Sequence, residues 1–213
     1  GALFASIAFP IFLIPNFGLV RTSLIFGLIN ILVSFLVIYK FKDELRRTSI
    51  HYFKGVAIGL ILIILFIFSN DILKYSEEKL MGENVIFQKQ TPYQRIVLTR
   101  ANNDIKLFLN NNLQFSSTDE YRYHEALVHP AMQGSSQIND VLILGGGDGI
   151  AMREVLKYPD LKHVTLVDLD PAMTQLFKTH PALVSINQHS LTNQKSTIIN
   201  DDAFAWLRKN KLK

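Results

Sequence analysis

Residues 141–171 read VLILGGGDGIAMREVLKYPDLKHVTLVDLDP, and the fold is decided by this stretch. VLIL (141–144) is a short apolar run of the kind that forms a strand buried on both faces of a parallel sheet. It runs straight into Gly145-Gly146-Gly147-Asp148-Gly149. IAMREVLKYP (150–159) then has helical spacing, with Pro159 just past its end. HVTLVDLD (163–170) is a second buried strand, and Pro171 opens a second helix, PAMTQLFKTH. STIIN (196–200) is a third strand, followed by Asp201-Asp202-Ala203 and a helix carrying Phe204, Trp206 and Leu207. This alternation predicts a doubly wound parallel α/β sheet.

The glycine turn carries the first chemical signal. Glycines permit a tight turn after a strand and let a ligand approach the backbone. Asp168 ends the next strand, at roughly the 20-residue spacing where an acid accepts hydrogen bonds from ribose hydroxyls. A nucleoside ligand is therefore expected. A dinucleotide site favours G-x-G-x-x-G, but the last glycine would fall on Ile150. The pattern is instead Gly145, Gly147 and Gly149, with Asp148 inside the loop. A carboxylate there would repel a pyrophosphate and suits a cationic ligand bearing an amine. That favours an S-adenosylmethionine-type ligand over NAD. Asp202, after the third strand, could meet an adenine amino group or cap the following helix.

Before this stretch the pattern is different. Residues 71–82 read as a short amphipathic linker helix. VIFQKQ (85–90), YQRIVLTR (93–100) and DIKLFLN (104–110) are short strand-like runs separated by Thr91-Pro92 and Asn102-Asn103-Asp104. They predict a small antiparallel β-unit. Residues 119–132 (DEYRYHEALVHPAM) read as a helix.

The first third has another character again. Residues 1–20 and 22–39 carry no charge and flank a lone Arg21, and residues 55–70 form a third uncharged run that Phe53 extends. A spanning helix needs about 20 mostly apolar residues, so spans are expected near 1–20, 22–39 and 53–70, with Pro10 and Pro15 kinking or breaking the first. The first run lacks the basic start and cleavage site of a signal peptide. Of the 213 residues, 48% are hydrophobic and 19% charged, which excludes a disordered chain. With no cysteine, a disulfide scaffold and a cysteine-ligated zinc site are excluded. The net charge of +4 fits basic juxtamembrane loops and does not imply nucleic-acid binding.

Taken in order, several segments resemble the spermidine synthase (polyamine aminopropyltransferase) family, in its bacterial type fused to a multi-pass membrane domain. They are Tyr93-Gln94-Arg95, Asp119-Glu120-x-x-Tyr123-His124-Glu125, the glycine turn, Val167-Asp168-Leu169-Asp170 and Asp202-Ala203. The resemblance implies an aminopropyl transfer from decarboxylated S-adenosylmethionine, as co-substrate, to putrescine. Spermidine and methylthioadenosine would be the products, with no prosthetic group and no metal. By match, Gln94 and Asp168 would contact the nucleoside and its ribose, and Asp202 and Ala203 the adenine. His124 and Asp148 would bind amine nitrogens, beside Tyr123, over the Gly145, Gly146, Gly147 and Gly149 loop.

The expected layout is membrane helices over 1–70, a linker and small β-domain over 71–136, and a Rossmann-like domain over 137–213. The family's catalytic aspartate sits in a D-x-x-D-P segment after the next strand, which would lie beyond Lys213. The chain opens on Gly1 and stops in mid-pattern, so it is expected to be a fragment at both ends, with an incomplete sheet and little turnover. The family also commonly has Glu where Asp168 stands. The expected partners are putrescine or a similar polyamine, a lipid bilayer and, as an open option, a second copy of the chain. The expected location is the inner membrane, with the catalytic domain on the cytoplasmic side. The alternatives are an S-adenosylmethionine-dependent methyltransferase and a non-enzymatic membrane polyamine-binding protein.

Overall fold

The computed structural model describes residues 6–45, 47–135 and 137–210. The start of the first apolar run, Arg46 of the basic loop and the last three residues lie outside the described residues. The chain divides into two compact units, one up to Pro92 and one from Tyr93 onward.

In the first unit a π-helical turn (Phe9–Leu13) leads into α1 (Ile14–Lys40), followed by α2 (Thr48–Ile67), α3 (Ser69–Met81) and β1 (Asn84–Gln90). The first two apolar runs thus share one helical stretch, Ser6–Lys40. Pro10 lies in the π-helical turn and Pro15 at the second residue of α1, within one continuous helical stretch. The break falls at Gly18 instead, whose φ of 75° and ψ of 172° belong to glycine's range. Ser6–Lys40 and Thr48–Ile67 are long and apolar enough to cross a membrane by length and composition.

The helices α1 and α2 pair antiparallel through small residues. Gly27 faces Leu62, Gly55 faces Phe35, and Gly59 faces Ile31. The Gly55-x-x-x-Gly59 spacing is therefore met by a helix of the same chain. At the other end of the pair, Arg21 Nε donates to Ser69 Oγ at 2.8 Å, with the guanidinium 5.4 Å from the Phe66 ring centre.

In the second unit, β2 (Arg95–Ala101), β3 (Asp104–Leu109) and β4 (Asn112–Ser116) form an antiparallel meander. Asn110 and Asn111 both have positive φ, 50° and 66°, which suits the type I′ turn joining β3 to β4. The Asp104 carboxylate accepts from the hydroxyls of Ser116 and Ser117 and from Thr118 N–H. Burial pushes that carboxyl up, but the three hydrogen bonds and Lys106 outweigh it and hold the group below its ordinary value. β4 was not anticipated: in NLQFS only Phe115 is buried, so no alternation marks it.

The helix α4 (Glu120–Gln133) follows, and then β5 (Asp140–Leu144), α5 (Ile150–Val155), β6 (His163–Asp168), α6 (Pro171–Thr179), α7 (Pro181–Asn187), β7 (Ser196–Asn200) and α8 (Ala203–Lys209). β5, β6 and β7 form a parallel sheet in that order, with Leu144 opposite Val167 and Asp168 opposite Asn200. β6 is the central strand, and Val164, Leu166 and Val167 are inaccessible. β5 was expected to be buried on both faces. Its residues are only part-buried or exposed, because β6 is its one partner strand among the described residues. Phe115 of the meander meets Phe177 of α6 edge-on, ring centres 6.0 Å apart.

Candidate active site

A cavity of about 570 Å³ opens within the second unit, at the carboxyl ends of β5 and β6. A parallel sheet places ligands there, and the volume suits a small organic ligand. Its wall brings together Gln94, Tyr123, His124, Gly145, Gly146, Gly147, Asp148 and Asp168. Gly149, Asp202 and Ala203 are not part of the wall. Asp202 caps α8, its carboxylate accepting from Ala205 N–H at 2.8 Å.

Each acid is held in place by backbone. Asp168 ends β6 and accepts from Gly147 N–H and Asp170 N–H, both at 2.9 Å. A Cβ at residue 147 would lie 2.7 Å from Asp168 Cγ, so the middle of the turn must be glycine for this contact to form. Asp148 accepts from Ile150 N–H at 2.8 Å, which starts α5. It is part-exposed to the cavity yet densely surrounded by protein. Burial, the largest influence, pushes its carboxyl above the ordinary value, and the charges of Asp168 and Glu120 add to the rise. The Ile150 N–H and a positive charge on His124 work the other way.

Three anchors were given no role from sequence, although Glu120 and Asp170 stand in the segments that carry the resemblance. Asp170 is buried, caps α6 through Ala172 N–H, and accepts from Gln94 Nε2 at 3.0 Å. It thereby fixes Gln94 against the wall. Asn187, fully buried, donates one amide to both the Asp148 and Phe177 carbonyls, each at 3.0 Å. Glu120 is buried beside His124 and receives Arg153 through both carboxylate oxygens, at 2.8 and 3.1 Å. The Gln94–Asp170, Asn187–Asp148 and Glu120–Arg153 pairings have no local signature, since those partners lie far apart in the chain.

Behind Arg153 stands Glu154, which is inaccessible and pairs with Arg153 and Lys157. Burial pushes its carboxyl up, but hydrogen bonds from Lys157 and Arg153 win and hold it low. Glu125, His129 and Glu154 bring ligand atoms within 4.8 Å of one another, as a metal would need. Two cations already occupy Glu154, so this cluster is better described as an ion-pair network.

The wall has a one-sided charge. Asp148, Asp168 and Asp170 line it, and no Lys or Arg does among the described residues. Such a cavity can accept hydrogen bonds from ammonium groups and hydroxyls and disfavours anions.

Comparison with known proteins agrees with this chemistry. Residues 120–213 match the family described as Spermine/spermidine synthase domain. The chain is 50% identical over 210 residues to a polyamine aminopropyltransferase of Leptospira interrogans, covering 99% of this chain and 42% of that protein. It is 46% identical over 212 residues to polyamine aminopropyltransferase 2 of Ralstonia nicotianae, covering 98% and 42%. The chain thus spans about two fifths of the length of the curated relatives it matches. Among solved structures, the spermidine synthase of Thermotoga maritima superposes with a TM-score of 0.56 at 27% identity, over 60% of this chain and 44% of that one. The chain is thus similar to polyamine aminopropyltransferases over nearly its whole length, and to the Spermine/spermidine synthase domain over residues 120–213.

Proposed function

We propose that the chain carries the substrate-binding part of a membrane-bound polyamine aminopropyltransferase, which moves an aminopropyl group from decarboxylated S-adenosylmethionine to putrescine. The observation that carries this assignment is the cavity wall, with three carboxylates and no Lys or Arg among its described residues. The similarity to aminopropyltransferases over nearly the whole chain supports it. So does a solved spermidine synthase in complex with the transition-state analogue AdoDATO, which aligns with a TM-score of 0.56 at 27% identity.

The reaction asks little covalent chemistry of the protein. The amine nitrogen attacks the carbon beside the sulfonium sulfur. The new N–C bond forms as the C–S bond breaks, and its electron pair returns to sulfur, releasing neutral methylthioadenosine. A free alkyl amine is protonated at neutral pH, with a pKa near 10, so the site must take a proton from the nitrogen. Positioning supplies much of the rest. Asp168 is assigned to the ribose and Gln94 to the nucleoside. Asp148 and His124 are assigned to amine nitrogens, Tyr123 to the pocket edge, and Asp202 and Ala203 to the adenine. Asp148 also disfavours the carboxylate that intact S-adenosylmethionine would bring.

The test is product analysis with the full-length protein. Decarboxylated S-adenosylmethionine and putrescine should give methylthioadenosine and spermidine in equal amounts, with no transfer from intact S-adenosylmethionine. Methyl transfer from the intact compound, without methylthioadenosine, would replace this assignment with a methyltransferase.

The two apolar helices are proposed to cross the inner membrane. No residue of α2 is buried, and α1 buries only Gly18, Thr22 and Ile38. That is unlike a soluble core helix and is suited to lipid. The loop between them is rich in Lys40, Lys42, Arg46 and Arg47, which by the positive-inside rule argues for a cytoplasmic loop and an external second unit. The substrates argue the other way, since both are expected in the cytoplasm, and we place the second unit there. A reporter fused after Asp71 should be active only in a cytoplasm-dependent form. Activity confined to an externally active reporter would reverse the assignment.

A further inference from the structure

We infer that Glu120 is a positioning residue, which through its pairing with Arg153 sets the tautomer of His124 and leaves Nε2 as a hydrogen-bond acceptor in the cavity. The inference rests on the assignment of the cavity to a polyamine. Glu120 and His124 sit one turn apart on α4, and both are buried. His124 Nδ1 lies 2.8 Å from the Glu120 carbonyl oxygen and 3.0 Å from its Oε2. Both neighbours are acceptors, so Nδ1 must carry a hydrogen. In the neutral ring that leaves Nε2 bare. The ring lines the cavity, with Nδ1 turned to its own helix.

The Arg153 fork makes this arrangement one-directional. It reaches both Glu120 oxygens, while its Nε donates to Glu154 and its Nη1 also donates to the Ile186 carbonyl. Glu120 is thereby fixed in orientation and its charge is balanced by Arg153. The ring is thereby oriented by a carboxylate that is itself held by the Arg153 fork. Nε2 then accepts from an incoming amine, alongside the Asp148 carboxylate. A ring with hydrogen on Nε2 would present a donor to a donor.

Glu120→Gln weakens the arrangement. With its carbonyl serving Arg153, the new amide turns an N–H toward Nδ1 in place of Oε2, which weakens the preference for Nδ1–H although the backbone carbonyl still accepts there. The experiment uses the full-length protein with 15N-labelled histidine, and His124→Asn to assign the signal. In the wild type, His124 should show the Nδ1–H tautomer. In Glu120→Gln, the Nε2–H form should gain population. Spermidine affinity should fall by about tenfold or more, while methylthioadenosine affinity changes by less than about twofold. An Nε2–H tautomer in the wild type overturns the inference even if no variant folds. Equal losses for both ligands, or an unchanged tautomer with unchanged spermidine affinity, overturn it as well. Product analysis of the wild type tests the enzymatic assignment separately, so the two failures are distinguishable.

Discussion

Asp148→Asn is expected to cost polyamine affinity on the order of a hundredfold and, at the same time, to make the protein more stable. The first effect follows from charge. The Asp148 carboxylate stands in a wall with no described Lys or Arg, where a cationic amine would lose its nearest counter-charge. The second follows from burial. The folded protein holds the Asp148 carboxyl above the ordinary aspartate value, mainly through desolvation. Between the unfolded and folded values the native state binds more protons than the unfolded chain, so stability falls as pH rises through that window. Above the folded value the full cost of the buried charge is present. Asparagine does not ionise, and its carbonyl can still accept from Ile150 N–H. The variant should therefore unfold at a higher temperature than the wild type at pH 7. The gap should narrow as pH approaches about 4, near the ordinary aspartate value. Thermal unfolding across pH, with ligand titration beside it, checks both halves. A variant less stable than the wild type at pH 7 would show that the charge is satisfied rather than strained.

Gly149→Ala should have the largest effect on folding, at roughly 2–5 kcal/mol. Gly149 has a φ of 74°, and its Cβ would lie 2.6 Å from Leu191 Cγ and 2.7 Å from Ser190 Oγ. Ser190 cannot step aside freely, because its hydroxyl donates to the Gly149 carbonyl at 2.6 Å. Both a left-handed backbone and an overpacked contact are charged to one methyl group. Gly145→Ala is the control. Its φ is similar, 81°, but a Cβ there meets nothing within 4 Å. It should cost only the backbone penalty, about 1–2 kcal/mol. Denaturant unfolding of the two variants separates the contributions. Equal losses would mean that the packing at Leu191 and Ser190 adjusts without cost.

Much of the second unit was legible because its signals are local. An apolar run ending in glycines, followed by a helical period and a second apolar run, leaves little choice for β5, α5 and β6. The same locality brought Asp148 and Asp168 forward, since each sits at a fixed offset from a strand end. Gln94, Tyr123 and His124 were legible only through the family resemblance, and the cavity wall unites them with the two acids. What stayed hidden depends on contacts across the chain. Glu120 and Arg153 are separated by 33 positions and carry no spacing that pairs them. Asn187 looks like any polar helix-end residue until its amide is found between two carbonyls. In the first unit, proline announces a helix break in sequence whereas a single glycine does not, and the non-helical backbone falls at Gly18.

The charge of the cavity wall also bears on how a turnover ends. In the proposed reaction the sulfonium disappears, so the nucleoside product is left without a cation for Asp148 to hold and keeps only the ribose contact assigned to Asp168. The lengthened polyamine gathers the positive charge on itself. A wall built from carboxylates therefore loosens its grip on one product as it tightens on the other. Departure is ordered by that difference, with the thioether free to go first and the polycation the slower to escape.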